Sequence, residues 1–250
     1  MSRGISRRAW LRSAPALGGL LLTGCTRETF VPPHLRGGLV GVADVLTMAT
    51  NRLLLLNQPL AREYPKSEIA DPFPTWNQTN PRNVEYQRHA AEAFRNWRLP
   101  VTGLVRQPRE LSLDEIRGLP ARTQVTAHVC EQGWSAIGEW TGVPLQRVLD
   151  EAGGVLPAAR YVVIDTFDGW YEGYDLFEVA HPQTILAYGL NGRDLPRGNG
   201  APLRLRVERQ CGYKNLKFLK SVQVVESLAG FGKGTGGTGS DFGFHWYAGV

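Results

Sequence analysis

Cysteine is scarce in this chain, whose 250 residues contain three cysteines, Cys25, Cys130 and Cys211. An odd number of widely separated cysteines cannot supply the paired framework of a small secreted scaffold, which excludes a disulfide-dependent fold. Charged residues make up 20% of the chain, against 42% hydrophobic and 10% aromatic residues. This balance excludes a disordered protein. We therefore expect one or two ordinary globular domains.

Several catalytic signatures are also missing. The sequence contains no His-Glu-x-x-His or Cys-x-x-Cys motif, no phosphate-binding loop and no dinucleotide-binding fingerprint. The common metallohydrolase and nucleotide-binding functions are therefore not expected. Composition alone leaves a Ser-His-Asp triad open, but Ser135 lacks a glycine on both sides, as a nucleophile elbow requires, because Gly133 precedes it and no glycine follows two positions later.

The excess of positive charge belongs to the N-terminal segment. The chain has 28 Lys and Arg against 23 Asp and Glu, a net charge of +5. Such an excess can bind nucleic acid only where it lies on one folded surface. Residues 1–24 hold Arg3, Arg7, Arg8 and Arg12 and no acidic residue, so the rest of the chain has a net charge of +1. We therefore expect no nucleic-acid partner.

Residues 1–24 resemble an export signal. Segment 6–12 resembles the twin-arginine motif, and the apolar run 14–22 is shorter than the ~20 residues that span a bilayer. The tetrapeptide Leu-Thr-Gly-Cys that ends at Cys25 resembles a lipobox. We expect a signal peptide over 1–24 and a lipid on Cys25 that anchors the protein at the periplasmic face of a membrane. An amphipathic N-terminal helix is the alternative. Because the twin-arginine route carries folded proteins, it favours a cofactor inserted before export.

The remaining chain has three parts by composition. Residues 25–41 contain Pro and Gly without periodicity, which predicts a tether, and residues 42–228 alternate helix and strand patterns. Residues 229–250 predict a glycine-rich linker and an aromatic C-terminal tail. The pattern predicts a single mixed α+β domain, rich in β structure in its second half.

Local signals predict the elements of this domain. Asp44 is the expected N-cap of a helix to about Leu56, and Asn80-Pro81 of a helix that buries Val84, Ala91 and Phe94. A capping box at 112–115 and a proline at 144 predict two further helices. The dipeptide at 191–192, Asn-Gly, predicts a hairpin. The predicted strands are 98–105, 123–129, 161–167, 174–179, 184–190, 203–207 and 216–225.

Five short motifs occur in a characteristic order. They are Cys-Glu-Gln-Gly-Trp-Ser at 130–135, Gly-Val-Pro-Leu at 142–145, Leu-Ala-Tyr at 186–188, Asn-Gly-Ala-Pro-Leu-Arg at 199–204 and Gly-Tyr-Lys-Asn-Leu-Lys-Phe-Leu at 212–219. Together they resemble the molybdopterin-binding domain of the sulfite oxidase family. The resemblance is greater to the bacterial branch with the periplasmic methionine-sulfoxide reductase catalytic subunit than to the animal and plant enzymes. It extends over about residues 51–227.

The resemblance implies molybdenum bound to molybdopterin as cofactor, with the Cys130 thiolate as a metal ligand. A thiolate at the end of a strand is a soft ligand that can be aimed rigidly at the metal. His128 faces the same way as Cys130, although a structural role is the stronger interpretation. Asn57 lies where the family has an Arg-Asn-His segment, but both of its neighbours depart from that pattern. The other cofactor contacts that the resemblance implies are Thr166, Asn199, Arg204, Asn215, Leu216 and Lys217.

Each of these residues also has a structural interpretation. Cys130 and Cys211 could be buried free thiols, Arg204 the solvated face of an alternating strand, Lys217 a surface lysine, and Asn199 a turn residue. The aromatic residues Trp170, Tyr171, Tyr174, Trp246 and Tyr247 could belong to the core or to a substrate pocket.

The resemblance implies an exported oxidoreductase that transfers an oxygen atom, with two electrons, to or from a small substrate. A sulfoxide, sulfite or a similar oxyanion remain open, as does the direction. The alternative is a non-catalytic, lipid-anchored binding or scaffold module with a structural Cys130. A thiol-redox lipoprotein lacks a nearby resolving cysteine. Because no haem domain is recognised, we expect a separate electron carrier, either a cytochrome or a membrane haem subunit.

Overall fold

The computed structural model describes Pro32 and residues 38–250. The predicted signal peptide, Cys25 and most of the predicted tether lie outside the described residues. Contacts divide the chain into two units, with the boundary between Leu56 and Asn57.

The first unit contains helix α1, Gly38–Leu54. The helix starts before Asp44, so the prediction that Asp44 is its N-cap is wrong. No proline lies between residues 38 and 43 to stop the helix from extending in that direction. Residues 38–41 of the predicted tether are therefore helical. Within the part of the chain that the structure describes, no helix is long and apolar enough to cross a bilayer.

The second unit contains two five-stranded sheets. The first sheet has the order β2-β1-β10-β5-β6, in which only β1 and β10 are parallel. Its strands are β1 (Arg98–Gly103), β2 (Arg109–Ser112), β5 (Tyr161–Thr166), β6 (Tyr171–Asp175) and β10 (Leu219–Val225). The second sheet is antiparallel, in the order β3-β4-β7-β8 with β9 also paired to β7. Its strands are β3 (Arg122–Val129), β4 (Ser135–Pro144), β7 (Ile185–Leu190), β8 (Arg193–Asp194) and β9 (Arg204–Arg206).

This architecture confirms the predicted α+β class and the concentration of strands in the second half. The hairpin between β7 and β8 turns at Asn191 and Gly192, whose φ values of 52° and 72° require the residue types found there. Apolar side chains from the first sheet, with Val148 and Leu149 of α4 (Leu145–Glu151), fill the main core.

Short helices connect the strands and correct some predicted boundaries. Helix α2, Val84–Ala91, is capped by the Asn83 side chain, which accepts from the Tyr86 amide at 3.0 Å. The helix buries Tyr86, His89 and Ala90. The predicted burial of Val84 and Ala91 is wrong because both are exposed, and Phe94, beyond the helix, is half-buried against the core. Helix α3, Leu113–Gly118, carries the predicted capping box.

Two other segments differ from prediction. The strand predicted over 174–179 ends at Asp175, because the Asp175 side chain caps helix α5, Leu176–Val179, by accepting from the Glu178 amide. The predicted linker at the C-terminus contains helix α6, Thr238–Asp241, and Gly237 bridges to Glu172 of β6. Residues 236–240 are therefore largely buried within the second unit.

The polar faces of β3 and β9 are buried. The buried side chains are Gln124, Thr126 and His128 of β3 and Arg204 and Arg206 of β9. Arg206 donates to His128 Nδ1 at 2.8 Å and Gln124 donates to Glu208 Oε1 at 2.8 Å, while His128 and Arg204 line the site described next. The residues that cover these polar faces lie far away in the chain, so the periodicity of a single strand does not show that the faces are buried.

Candidate active site

A cavity of about 680 Å³ opens in the second unit. The buried end of the cavity is polar and is lined by residues directly after β3 and directly before β9. Its exposed end is aromatic. The lining residues are Phe73, Pro74, Trp76, Asn77, Gln78, His128, Cys130, Glu131, Gln132, Trp134, Asp168, Trp170, Gly198, Asn199, Arg204, Gly212, Tyr213, Asn215, Leu216, Lys217, Phe242 and Phe244.

Most of the residues predicted to contact the cofactor meet in this cavity. Thr166 lies beneath the lining, where its Oγ1 is 2.6 Å from the Trp170 carbonyl oxygen and 2.5 Å from Asp168 Oδ1. Thr166 therefore supports the loop that forms one wall. Asn57 is exposed and lies outside the lining. The predicted residues that do line the cavity are Cys130, Asn199, Arg204, Asn215, Leu216 and Lys217.

Cys130 is held in a tight turn directly after β3. Its amide donates to the Trp134 carbonyl at 2.9 Å, and the Gly133 amide donates back to the Cys130 carbonyl at 3.1 Å. Gly133 has φ +88°, a conformation that glycine adopts without strain. The Cys130 side chain is a free thiol, 3.7 Å from Glu131 Oε2. Burial raises its pKa, and the Glu131 carboxylate raises it further. A bound cation is therefore needed to stabilise the thiolate.

Arg204 is a buried cation that forms no ion pair with a carboxylate among the residues that the structure describes. Its Nη1 donates to the Asn199 carbonyl at 3.1 Å, whereas Nε has no hydrogen-bond partner within the described part of the chain. Burial and the nearby Arg206 guanidinium lower its pKa to about 9. Arg206 itself is neutralised by Glu208 at 2.5 Å. The interpretation of Arg204 as part of a solvated strand face is therefore wrong, and its uncompensated charge favours an anion in the cavity.

Lys217 adds a second positive charge. Its Nζ donates to the carbonyl oxygens of Trp76 at 2.8 Å and of Gly198 at 3.3 Å, and also to that of Gln78. Burial, followed by repulsion from Arg204, lowers its pKa to about 8. A simple surface lysine would not donate to three carbonyl oxygens or have so low a pKa, so the interpretation of Lys217 as a surface lysine is also wrong.

The two asparagines have different functions in the cavity wall. Asn215 Oδ1 accepts from the Val207 amide at 2.8 Å, and Nδ2 donates to the Gln210 and Cys211 carbonyls at 3.1 and 3.0 Å. Its side chain thus fixes the loop between β9 and the 3₁₀ turn Gly212–Lys214. Asn199 Nδ2 donates to the Pro74 carbonyl at 3.2 Å, which joins two walls of the cavity.

His128 is a neutral histidine beside Cys130. Arg206 Nη1 donates to its Nδ1 at 2.8 Å, so the ring carries its proton on Nε2, the nitrogen that approaches Gly212. Burial lowers its pKa, and the cations Arg204, Arg206 and Lys217 lower it further. The prediction of a hydrogen-bonded histidine that faces the same way as Cys130 is confirmed.

The donor set fits an anionic, metal-bearing cofactor. Two cations without carboxylate partners, a thiol and the unpaired Trp134 indole N–H face one cavity. An anion with several acceptors would satisfy the cations, and a soft metal would stabilise the thiolate.

The sequence profile of the oxidoreductase molybdopterin-binding domain matches residues 86–229. This range holds most of the cavity lining, and the lining residues outside it are Phe73, Pro74, Trp76, Asn77, Gln78, Phe242 and Phe244. The chain belongs to this family. Its cofactor is therefore molybdenum-bearing molybdopterin, and the protein is a molybdopterin-dependent oxidoreductase, as the sequence motifs predicted. The alternative of a non-catalytic scaffold receives no support.

Two relatives resemble this chain over different lengths. A putative protein-methionine-sulfoxide reductase subunit YedZ1 of Azospira oryzae is 36% identical over 248 residues, covering 98% of this chain and 88% of that protein. The protein-methionine-sulfoxide reductase catalytic subunit MsrP of Xanthomonas campestris is 36% identical over 148 residues. That match covers 53% of this chain and 46% of MsrP, so this chain spans about half of that relative.

A solved structure has the same fold. The sulfane dehydrogenase SoxCD of Paracoccus pantotrophus superposes with a TM-score of 0.50 at 24% identity, over 53% of this chain and 39% of that one. It confirms the predicted molybdopterin-binding fold of the family.

Sequence reasoning missed the aromatic rim of the cavity. Trp76 lies in the proline-rich segment predicted as irregular, and Phe242 and Phe244 lie in the predicted tail. Of the aromatic residues left open, Trp170 lines the cavity, whereas Trp246 and Tyr247 are buried. Aromatic residues in irregular segments were the available signal, but only the tertiary structure shows which of them face the site.

Proposed function

We propose that the protein reduces a neutral sulfoxide to a thioether. The sulfoxide takes up two electrons and two protons and yields the thioether and water. The observation that carries this proposal is the charge of the lining. Arg204 and Lys217 are its positively charged side chains, whereas Glu131 and Asp168 are acidic. Once the cofactor neutralises the two cations, an oxyanion such as sulfite finds no free positive charge, but a neutral sulfoxide needs none.

The residues of the cavity have distinct functions in this proposal. Cys130 binds the metal, and Arg204 and Lys217 bind the negatively charged part of the pterin. When bound, the cofactor supplies the two-electron oxygen-atom transfer. The neutral His128, with a proton on Nε2, donates a hydrogen bond towards the site. The indole of Trp134, 5.5 Å from the His128 ring, covers it from the other side and excludes water.

We also propose that the protein is exported by the twin-arginine route and held at the periplasmic face by a lipid on Cys25. In this arrangement a separate cytochrome or membrane haem subunit supplies the electrons. The motifs at 6–12 and 22–25 support export and lipidation. The named relatives are described as subunits, which supports a partner protein.

Activity of the purified holoenzyme tests the proposed reaction. With a reduced viologen dye as electron donor, we expect turnover of methionine sulfoxide and of dimethyl sulfoxide. With ferricyanide as acceptor, we expect no oxidation of sulfite above the rate of cofactor-free protein. Efficient sulfite oxidation without sulfoxide reduction would overturn the proposal.

Signal variants test the proposed localisation. The substitution Arg7→Lys with Arg8→Lys should retain the protein in the cytoplasm, while Arg3→Lys, outside the motif, should not. Cys25→Ala should abolish incorporation of labelled fatty acid and release the protein from membranes. Fatty-acid labelling that persists in Cys25→Ala would contradict the assigned anchor.

A further inference from the structure

We propose that the C-terminal segment, residues 230–250, determines substrate specificity through Phe242 and Phe244, which bind an apolar group next to the reacting sulfoxide. The segment lies beyond the 86–229 region that the family profile matches. This inference rests on the proposed function and names the class of substrate that the same site selects, a sulfoxide that carries an apolar group such as a phenyl ring.

Both phenylalanines are exposed although they line the cavity. Phe242 is 73% exposed and Phe244 40% exposed, and both line the same cavity, so they belong to one apolar patch rather than to scattered surface positions. Phe242 packs at 6.0 Å on the Trp170 ring, and Phe244 at 5.0 Å on the Tyr213 ring. With Trp76, which is 53% exposed, they form an aromatic rim around the entrance.

The rim leads directly to the reacting end of the cavity. Tyr213, which packs on Phe244, follows Gly212, and a Cβ on Gly212 would lie 3.1 Å from the Cys130 Cα. The wall from Phe244 through Tyr213 to Cys130 is therefore continuous, so a ligand whose polar group reaches Cys130 can also contact the phenylalanine rings. When that ligand also carries an apolar group, its polar group is bound near Cys130 and its apolar group is bound by the phenylalanine rings.

The segment is held in place by buried polar contacts. The Gly239 amide donates to Glu172 Oε1 at 2.7 Å, and the Gly173 amide donates to the Gly236 carbonyl at 2.8 Å. A Cβ at Gly237 would lie 2.2 Å from Glu172 Oε2, so a larger residue there would displace the Glu172 carboxylate. These contacts fix the segment on β6.

Two hydrogen bonds flank the phenylalanines themselves. Tyr171 Oη donates to Asp241 Oδ2 at 2.9 Å, directly before Phe242, and Tyr213 Oη donates to the His245 carbonyl at 2.6 Å, directly after Phe244. The two rings thus project from an anchored backbone. A rigid aromatic surface loses little entropy when it binds a ligand, which favours a role in binding.

Calorimetric titration of the holoenzyme tests the inference. The ligands are methyl phenyl sulfoxide, which carries an apolar ring, and dimethyl sulfoxide, which does not. The variant is Phe242→Ala with Phe244→Ala, and the matched control is Val250→Ala, a 59% exposed residue of the same segment outside the lining. We expect the double variant to lose about tenfold of the preference for the larger ligand. Val250→Ala should keep that preference.

Each outcome bears on one proposal. An unchanged preference in the double variant, at unchanged molybdenum content, would overturn the specificity role while leaving sulfoxide reduction intact. Binding of the larger ligand to the wild-type protein without its reduction would overturn the proposed function, and loss of preference in the double variant would still support the aromatic rim. A wild-type protein that shows no preference for the larger ligand would overturn the inference directly.

Discussion

Lys214 and Glu172 form an ion pair in the interior of the second unit, with Nζ 2.7 Å from Oε2 and both side chains almost completely buried. Glu172 Oε1 also accepts from the Trp170 indole N–H at 3.1 Å and from the Gly239 amide. Lys214 immediately precedes the loop with Asn215, Leu216 and Lys217. The pair therefore connects the proposed cofactor loop, the Trp170 wall and the C-terminal segment.

Glu172→Gln should destabilise the protein by about 3 kcal/mol, because it leaves the Lys214 ammonium buried without a counter-charge. Denaturant unfolding measures this loss. Adding Lys214→Met should recover part of it, so the two single effects should not add. As a control, Asp194→Asn breaks the 2.8 Å pair with Arg117, where Asp194 is 83% exposed, and should cost less than about 1 kcal/mol. Equal costs at both sites would contradict this account.

Cys130→Ser should lower the turnover number by at least about a thousandfold, because a hydroxyl is a poor replacement for a soft thiolate ligand. The pterin should remain, held by the other contacts, and its fluorescence after oxidation measures it. Cys211→Ser supplies the control, because Cys211 is a free thiol outside the cavity lining. Full activity in Cys130→Ser would exclude Cys130 as the ligand.

Arg204→Met should have opposite effects on the cofactor-free protein and the holoenzyme. It removes a buried charge whose Nε has no partner, so the melting temperature of cofactor-free protein should rise by a few degrees. The pterin content of protein made in a cofactor-producing host should fall severalfold. Arg193→Met, which alters an exposed pair with Asp71, should change neither quantity. A fall in the melting temperature would indicate that Arg204 is mainly structural.

Acid should destabilise the protein through His181. Its Nδ1 accepts from the Gln183 amide at 3.2 Å, and its Nε2 lies 3.2 Å from the Pro59 carbonyl oxygen, so only the neutral ring satisfies both contacts. Burial, with Arg209, lowers its pKa to about 4. The folded pKa lies below the unfolded value of about 6.5, so this stabilisation is complete above pH ~6.5 and is lost as the pH falls towards 4.

The free energy of unfolding as a function of pH measures the His181 contribution. We expect His181→Gln to flatten the curve between about pH 6.5 and 4, by an amount on the order of 2 kcal/mol. His245→Gln, at an exposed position, should leave the curve unchanged. A wild-type curve that is already flat in this range would refute the prediction.

Local sequence signals predicted much of the secondary structure. The capping box of α3 and the Asn-Gly hairpin are made by residues a few positions apart, so their chemistry is visible in the sequence. The start of α2 was predicted three residues too early, because the sequence around 80–83 offers two asparagines and only packing selects Asn83. The strands predicted over 174–179 and 216–225 are shorter in the structure, because side-chain caps and turns compete with extended backbone.

The sequence by itself determined the family, the cofactor and the set Cys130, Asn199, Arg204, Asn215, Leu216 and Lys217 that meets in the cavity. Motif order carries this information, because the cofactor requires particular residue types in a particular succession. Only the tertiary structure decided that Arg204 is a buried cation, that Asn57 lies outside the lining and that Phe242 and Phe244 form the rim. These properties depend on burial and on contacts between residues far apart in the chain, which no local periodicity records.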